Sequence, residues 1–279
     1  MNSFFSIPDL EMQFIHSDIL KRDLILYIKL PWSYEHSDNV YPVLYCTDAN
    51  RSFQLYSTTS LIFETPGPPT PEILIVGIGY SLDADRMKAL VQWSVWRTLD
   101  LTPIHRPEID QWWVDRLSSL PGGENVEVHT GGSQDFLTCI SQEVIPYIEK
   151  SYRVSSANRG LAGYSYGGLF TLYALFRSPG LFQHYFAGSP SMWEQLFVDE
   201  VDYASTHNDL PGKLLITAGA NESELLEKLN IFLERLRSRK YPRLELLTQF
   251  FEGEGHASAY PASVSRALST LYNEGWRQS

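Results

Sequence analysis

The sequence predicts an α/β fold in which a mostly parallel central sheet is flanked by helices, and two observations carry that prediction. Short β-branched apolar blocks recur along the 279 residues, at 12–15, 24–30, 43–46, 73–78, 161–162, 185–187, 214–217 and 244–251. Each has the length and composition of a strand. From about residue 134 these blocks alternate with stretches of helical periodicity, at 135–152, 167–176, 223–239 and 259–276. Strands separated by helix-length crossovers imply parallel pairing with helices covering the sheet.

Taken in order, the first two strands are joined only by the polar stretch 17–23, which suits an antiparallel hairpin at the sheet edge. The run Pro66-Gly-Pro-Pro-Thr-Pro71 reads as a rigid turn before a strand. Residues 81–133 show no sustained period of either kind. They carry Trp93, Trp96, Trp112 and Trp113, prolines at 103, 107 and 121, and the pair Gly122-Gly123. A long irregular stretch inside an ordered domain is usually functional, so it is expected to run over the active-site end of the sheet. The alternative is that its tryptophans are core. With no internal repeat and no interdomain linker, residues 1–279 are expected to form one domain.

The composition, 43% hydrophobic and 20% charged, is that of a globular protein with a large core. A formal charge of −11 repels phosphate backbones and anionic membrane surfaces, which argues against nucleic acid as a partner. No apolar run reaches bilayer length, and the N-terminus lacks a basic and an apolar signal region. The expected location is therefore cytoplasmic. Cys46 and Cys139 are far from any CxxC spacing and are expected to be core residues.

Gly163-Tyr164-Ser165-Tyr166-Gly167 matches the pattern GxSxG. Chance alone would supply such a match in roughly one chain of this length in ten. Its setting adds specificity, because it follows the strand 159–164 and opens the helix 167–176, the strand-turn-helix of a nucleophile elbow. Glycines on both sides of the serine relieve the clashes of so sharp a bend, and Gly168 allows close helix-strand approach. An N-cap role is the alternative for Ser165.

A serine hydroxyl needs a base, which in this type of fold lies C-terminal to it. His184, His207 and His256 qualify by order. His184 falls at the amino end of its strand, the wrong edge for an active site, and His207 lies in a polar loop. His256 follows the last long strand and precedes the last helix, where a loop can carry its imidazole over the elbow. The orienting acid should follow the preceding strand, and both Glu222 and Glu224 stand there. An oxyanion hole needs two main-chain N–H donors. Tyr166 supplies one, and Asn50 or Arg51, just past the strand 43–46, the other. No metal-ligand or phosphate-loop spacing is present, so no cofactor or metal is expected.

Several segments resemble one esterase family of α/β hydrolases, which includes enterochelin esterases, siderophore-trilactone esterases, esterase D and the antigen 85 mycolyltransferases. They are YPVLYCTDAN from Tyr41, IVGIGY from Ile75, RTLDLTP from Arg97, GGSQDFLTCISQEVIPYIEKSYRV from Gly131, LAGYSYGGLFTLYALFRSPGLFQHYFAGSPSMW from Leu161, and GEGH from Gly253. The resemblance implies an α/β-hydrolase fold and a serine esterase acting on a small-molecule ester, closest to the siderophore-esterase branch. It supports Ser165 and His256, favours Glu222 because the family acid stands three positions after a strand-end glycine, here Gly219, and maps the oxyanion donors onto Asn50 and Tyr166. Arg51, Arg97 and Trp193 become substrate-binding candidates, with a brace between Arg97 and Asp100 as the alternative for that arginine. This chain departs from the family in reading Tyr164 where members often have histidine, and some siderophore esterases work with only a Ser–His dyad. An acyltransferase using the same triad is the rival enzyme reading. A non-catalytic binding module is the other rival, and it normally shows a lost nucleophile or histidine.

Overall fold

The computed structural model describes residues 10–64 and 72–273. The turn expected at 66–71 and the helix end expected at Trp276 lie outside these residues. β1 (Leu10–Ser17) turns back into β2 (Arg22–Lys29) as the antiparallel hairpin. β3 (Tyr41–Cys46), α1 (Ala49–Phe63) and β4 (Leu74–Tyr80) follow, then α2 (Arg86–Asp100), α3 (Pro107–Leu117) and α4 (Ser133–Cys139). A π-helical turn at Ile140–Val144 carries α4 into α5 (Ile145–Ser151). The remainder alternates regularly: β5 (Val154–Tyr164), α6 (Tyr166–Arg177), β6 (His184–Gly188), α7 (Glu194–Thr206), β7 (Gly212–Gly219), α8 (Ser223–Arg239), β8 (Leu244–Phe251) and α9 (Ala259–Thr270).

Among the described residues, eight strands form one sheet in the order β1-β2-β4-β3-β5-β6-β7-β8. β2 is antiparallel to both neighbours, and the pairs from β4 to β8 are parallel. Successive residues of a strand face opposite sides, so one strand feeds two cores. In β3, Val43 and Tyr45 join the larger core that includes Phe136, Phe170 and Phe232, while Leu44 and Cys46 join Phe53 of α1 and Val264 of α9. Because the central strands are parallel, their carboxyl ends, at Cys46, Tyr164, Gly188, Gly219 and Phe251, all emerge at one edge.

The stretch 81–133 corrects the expectation of an irregular excursion, for it contains α2 and α3. Their apolar period is hidden because the buried face of α2 consists of Val91, Ser94, Arg97, Thr98 and Asp100. Asp100 is ion-paired with Arg22 beneath the surface. Helices α1 and α7, which were not expected, hide theirs in the same way: α1 buries Ser52, Ser57 and Ser60, and α7 buries Asp199 and Glu200. Those two acids pair with Arg177 and Arg239, each at 2.6 Å. Trp93, Trp96 and Trp113 pack as partly buried residues, whereas Trp112 is exposed.

Cys46 and Cys139 are free and buried, as the sequence implied. Burial pushes the Cys139 thiol up to about 12 and raises that of Cys46 further, leaving both unreactive near neutral pH.

His184, at the amino end of β6, faces Asn158 with Nε2 2.8 Å from its Oδ1 and lies 4.5 Å from the ring of Tyr272. Burial, reinforced by Lys213, lowers its pKa to about 4. Between that value and the ordinary histidine value near 6.5 the unfolded chain binds the proton and the folded one does not. Stability is therefore lost as pH falls through this window, by about 3 kcal/mol from this residue. Replacing His184 with Gln is expected to flatten that part of the stability-versus-pH curve, which urea unfolding at pH 4 to 7 would measure. An unchanged slope would contradict the assignment.

Candidate active site

Ser165 sits between β5 and α6 with φ 60° and ψ −117°, a conformation that side-chain-bearing residues rarely adopt. Three glycines make the bend possible. A Cβ at Gly163 would lie 2.2 Å from the Gly167 carbonyl, one at Gly167 would lie 2.5 Å from Thr47 Oγ1, and one at Gly168 would lie 2.9 Å from the Gly188 carbonyl oxygen. The bend is also bonded in place: the Ser165 amide donates to the Gly188 carbonyl at 2.9 Å, and the Ser191 amide donates to the Ser165 carbonyl at 3.1 Å. Ser165 is half-buried, and among the described residues its side chain makes no hydrogen bond. The N-cap alternative therefore has no cap bond to support it.

Two neighbouring loops bring an acid and an imidazole together at the same edge. Glu222, past β7, places Oε2 2.6 Å from His256 Nδ1. Its Oε1 accepts from the Gly219 amide at 2.8 Å and from the Ser189 hydroxyl at 2.7 Å. The Glu222 side chain is 9% exposed and the His256 side chain 52%, so the carboxylate is anchored within the protein and the imidazole opens outward. Main-chain bonds lace the two loops, Ala220 N to Phe251 O and Asn221 N to Glu254 O, both at 2.9 Å. Glu224 is exposed in the first turn of α8 and makes no contact of this kind. His184 lies at the opposite edge, and His207 stacks on Tyr203 after α7.

The other wall comes from β3 and α1. Asp48 caps α1 in a left-handed conformation, φ 58°, and its carbonyl accepts the amides of Arg51 and Ser52. Asn50 spends its side chain on the end of β4, accepting from Tyr80 N at 2.7 Å and donating to Tyr80 O at 2.9 Å. As early residues of their helices, Asn50 and Tyr166 carry amides with no intrahelical acceptor, which suits them to receive a developing negative charge.

The structure corrects the expectation for Arg97, which is buried instead of lining the mouth. Its Nε and Nη2 both donate to the Asp48 carboxylate at 2.9 Å. Its guanidinium lies 4.8 Å from the Trp93 ring centroid and 5.0 Å from that of Tyr166. The alternative brace to Asp100 is not formed either, since Asp100 belongs to Arg22. Arg97 thus clamps the cap of α1 against the first residue of α6. Asp48 was not singled out in the sequence, although an aspartate directly after a buried strand is the signal that could have marked it.

Two hollows flank the edge. A groove of about 690 Å3 is lined by Asn50, Arg51, Arg86, Met87, Leu90 and Trp93, and Arg51 stacks 4.8 Å from the Trp93 centroid. A smaller hollow of about 300 Å3 holds His256, Glu222, Ser189, Met192 and Trp193. Arg51 and Trp193 therefore lie in different hollows, and the larger one does not include the imidazole. Arg86 is a further cation of the groove.

Comparison with known proteins places this site in context. Residues 102–258 match the esterase family described as "Putative esterase". The chain belongs to that family. It is 31% identical to the ferri-bacillibactin esterase BesA of Bacillus subtilis (strain 168), over 95% of this chain and 90% of that protein. The crystal structure of the BES protein from Bacillus cereus superposes with a TM-score of 0.77 at 25% identity, covering 98% of this chain and 99% of that one. The siderophore hydrolase EstB from Aspergillus nidulans has the same TM-score at 22% identity, over 99% and 100% of the two chains, and shares the fold. The α/β-hydrolase fold is thereby established, and membership of the family makes hydrolysis of a carboxylic ester the chain's reaction class.

His256→Ala is expected to lower kcat/KM on an activated ester by about 10³-fold or more, since groups acting as a unit lose most of their effect together. Glu222→Gln should cost about 10- to 100-fold and Glu224→Gln less than twofold, given the respective bonding of the two carboxylates. Steady-state kinetics would test the order. Loss at Glu224 would move the acid, and indifference at both positions would mean a dyad.

Proposed function

We propose that the chain is a serine esterase that forms an acyl-enzyme on Ser165, with siderophore-type or other aryl or lactone esters as substrates. The observation that carries this reading is the Glu222–His256 contact of 2.6 Å at the same sheet edge as the elbow serine. His256 Nε2 takes the Ser165 proton as Oγ attacks the ester carbonyl, and the resulting oxyanion receives the amides of Tyr166 and Asn50. Glu222 holds Nδ1–H and stabilises the imidazolium. The proton then passes to the departing alkoxide, and water, deprotonated by the same imidazole, releases the acid and regenerates the serine.

The substrate class rests on the groove and on the relatives. Arg51 and Arg86 beside Trp93 offer cationic and aromatic contacts for a phenolate or catecholate ring, within a chain whose net charge would otherwise repel it. The names of the relatives, a ferri-bacillibactin esterase and a siderophore hydrolase, agree with that chemistry.

Ser165→Ala is expected to abolish hydrolysis and labelling by a fluorophosphonate while leaving the fold intact. Retention of more than a few per cent of activity in a clean preparation would overturn the assignment. A panel of p-nitrophenyl esters, neutral aryl esters and catecholate trilactones, with an alcohol acceptor present to score transfer, tests the substrate. Arg51→Ala should raise KM for the catecholate ester by about three- to tenfold, the value of an exposed charged contact, and leave a small neutral ester unchanged. Equal effects on both would remove the support for an anionic aryl substrate.

A further inference from the structure

Tyr164 stands directly before Ser165, and the reaction described above does not use it. Its buried ring stacks on Tyr260 at 4.0 Å and lies 5.4 Å from the His256 imidazole. The fold makes room for that ring, since a Cβ at Gly188 would lie 2.4 Å from Tyr164 Cδ2. The phenol donates to the main-chain carbonyl of His256 at 2.6 Å. Ser189 Oγ lies 2.8 Å from the same phenol oxygen and 2.7 Å from Glu222 Oε1. Two hydroxyl protons serve these three contacts. The charged carboxylate draws the Ser189 proton, which leaves the phenol proton on the His256 carbonyl.

His256 has few local constraints of its own. Gly253, at φ 77°, and Gly255 precede it, the side chain is half exposed, and the Glu222 contact grips only one ring nitrogen. A bond to its main chain, from the residue directly before Ser165, ties the imidazole's position to the elbow itself. Burial, with the charge of Glu222 adding to it, pushes the phenol up to about 12, so it remains a donor through the neutral and mildly alkaline range.

We infer that Tyr164 is a positioning residue, whose hydrogen bond to the His256 carbonyl holds the imidazole in register with Ser165. The inference rests on the Ser165–His256–Glu222 reading. Tyr164→Phe keeps the ring stacked on Tyr260 and removes only the donor. Its kcat on an activated ester, and its rate of fluorophosphonate labelling per folded molecule, should both fall about three- to tenfold, with KM unchanged. In a Glu222→Gln background the further loss should be smaller than in wild type, because both groups act on one ring. An unchanged kcat, a loss shared between kcat and KM, or fully multiplicative losses with Glu222→Gln would overturn the inference. The labelling rate separates this test from the substrate reading. A wild type that labels at Ser165 but hydrolyses none of the esters would refute the proposed substrate, while the ratio of labelling rates between Tyr164→Phe and wild type would still decide the role of Tyr164.

Discussion

The bend at Ser165 is the constraint on which the rest of this site depends. A strand must end and a helix begin within one residue, at φ 60° and ψ −117°, a conformation that costs of order 1–3 kcal/mol. The surroundings over-determine it. Gly163, Gly167 and Gly168 leave no Cβ to clash, and main-chain bonds to Gly188 and from Ser191 fix the serine on both sides. The same closeness brings Thr47 and Asp48, at the end of β3, against the first turn of α6. One strained residue is therefore packed where the N-termini of α1 and α6 meet.

Around the bend, the parallel sheet supplies a row of loops and buried polar contacts lock them. Arg97 closes on Asp48 between two aromatic rings, and Glu222 gathers the Gly219 amide, the Ser189 hydroxyl and the His256 imidazole onto one carboxylate. Groups so fully bonded keep their orientation at the edge of a cleft where water would otherwise compete. The exposed side chains differ in kind. His256, Arg51 and Arg86 are exposed at the margin of this locked layer.

Polarity of the buried helix faces also explains which helices could be read from the sequence. α8 turns Leu229, Phe232, Leu233 and Leu236 inward, and its period is plain. α2 turns inward Arg97 and Asp100, α7 Asp199 and Glu200, and α1 three serines. Each of these charges is buried because a partner from another element meets it, namely Asp48, Arg22, Arg177 and Arg239. A pattern search that equates inside with apolar misses helices of this kind.

From the sequence alone came the parallel sheet with its edge hairpin, the strand-turn-helix bend at Ser165, and the placing of His256, rather than His184 or His207, at the sheet's carboxyl edge. All of these are local or follow from chain order: alternation sets the strands, glycine spacing sets the bend, and position relative to a strand end sets which histidine can reach the edge. The tertiary structure decided what depends on distance between segments far apart in the chain. It joined Glu222 rather than Glu224 to the imidazole, withdrew Arg97 from the mouth to clamp Asp48, and drew Ser189 and Tyr164 into the same network. Spacing in sequence cannot settle such pairings, because an ion pair or hydrogen bond is fixed by a separation of about 3 Å between side chains that only the packed sheet and helices bring to one place.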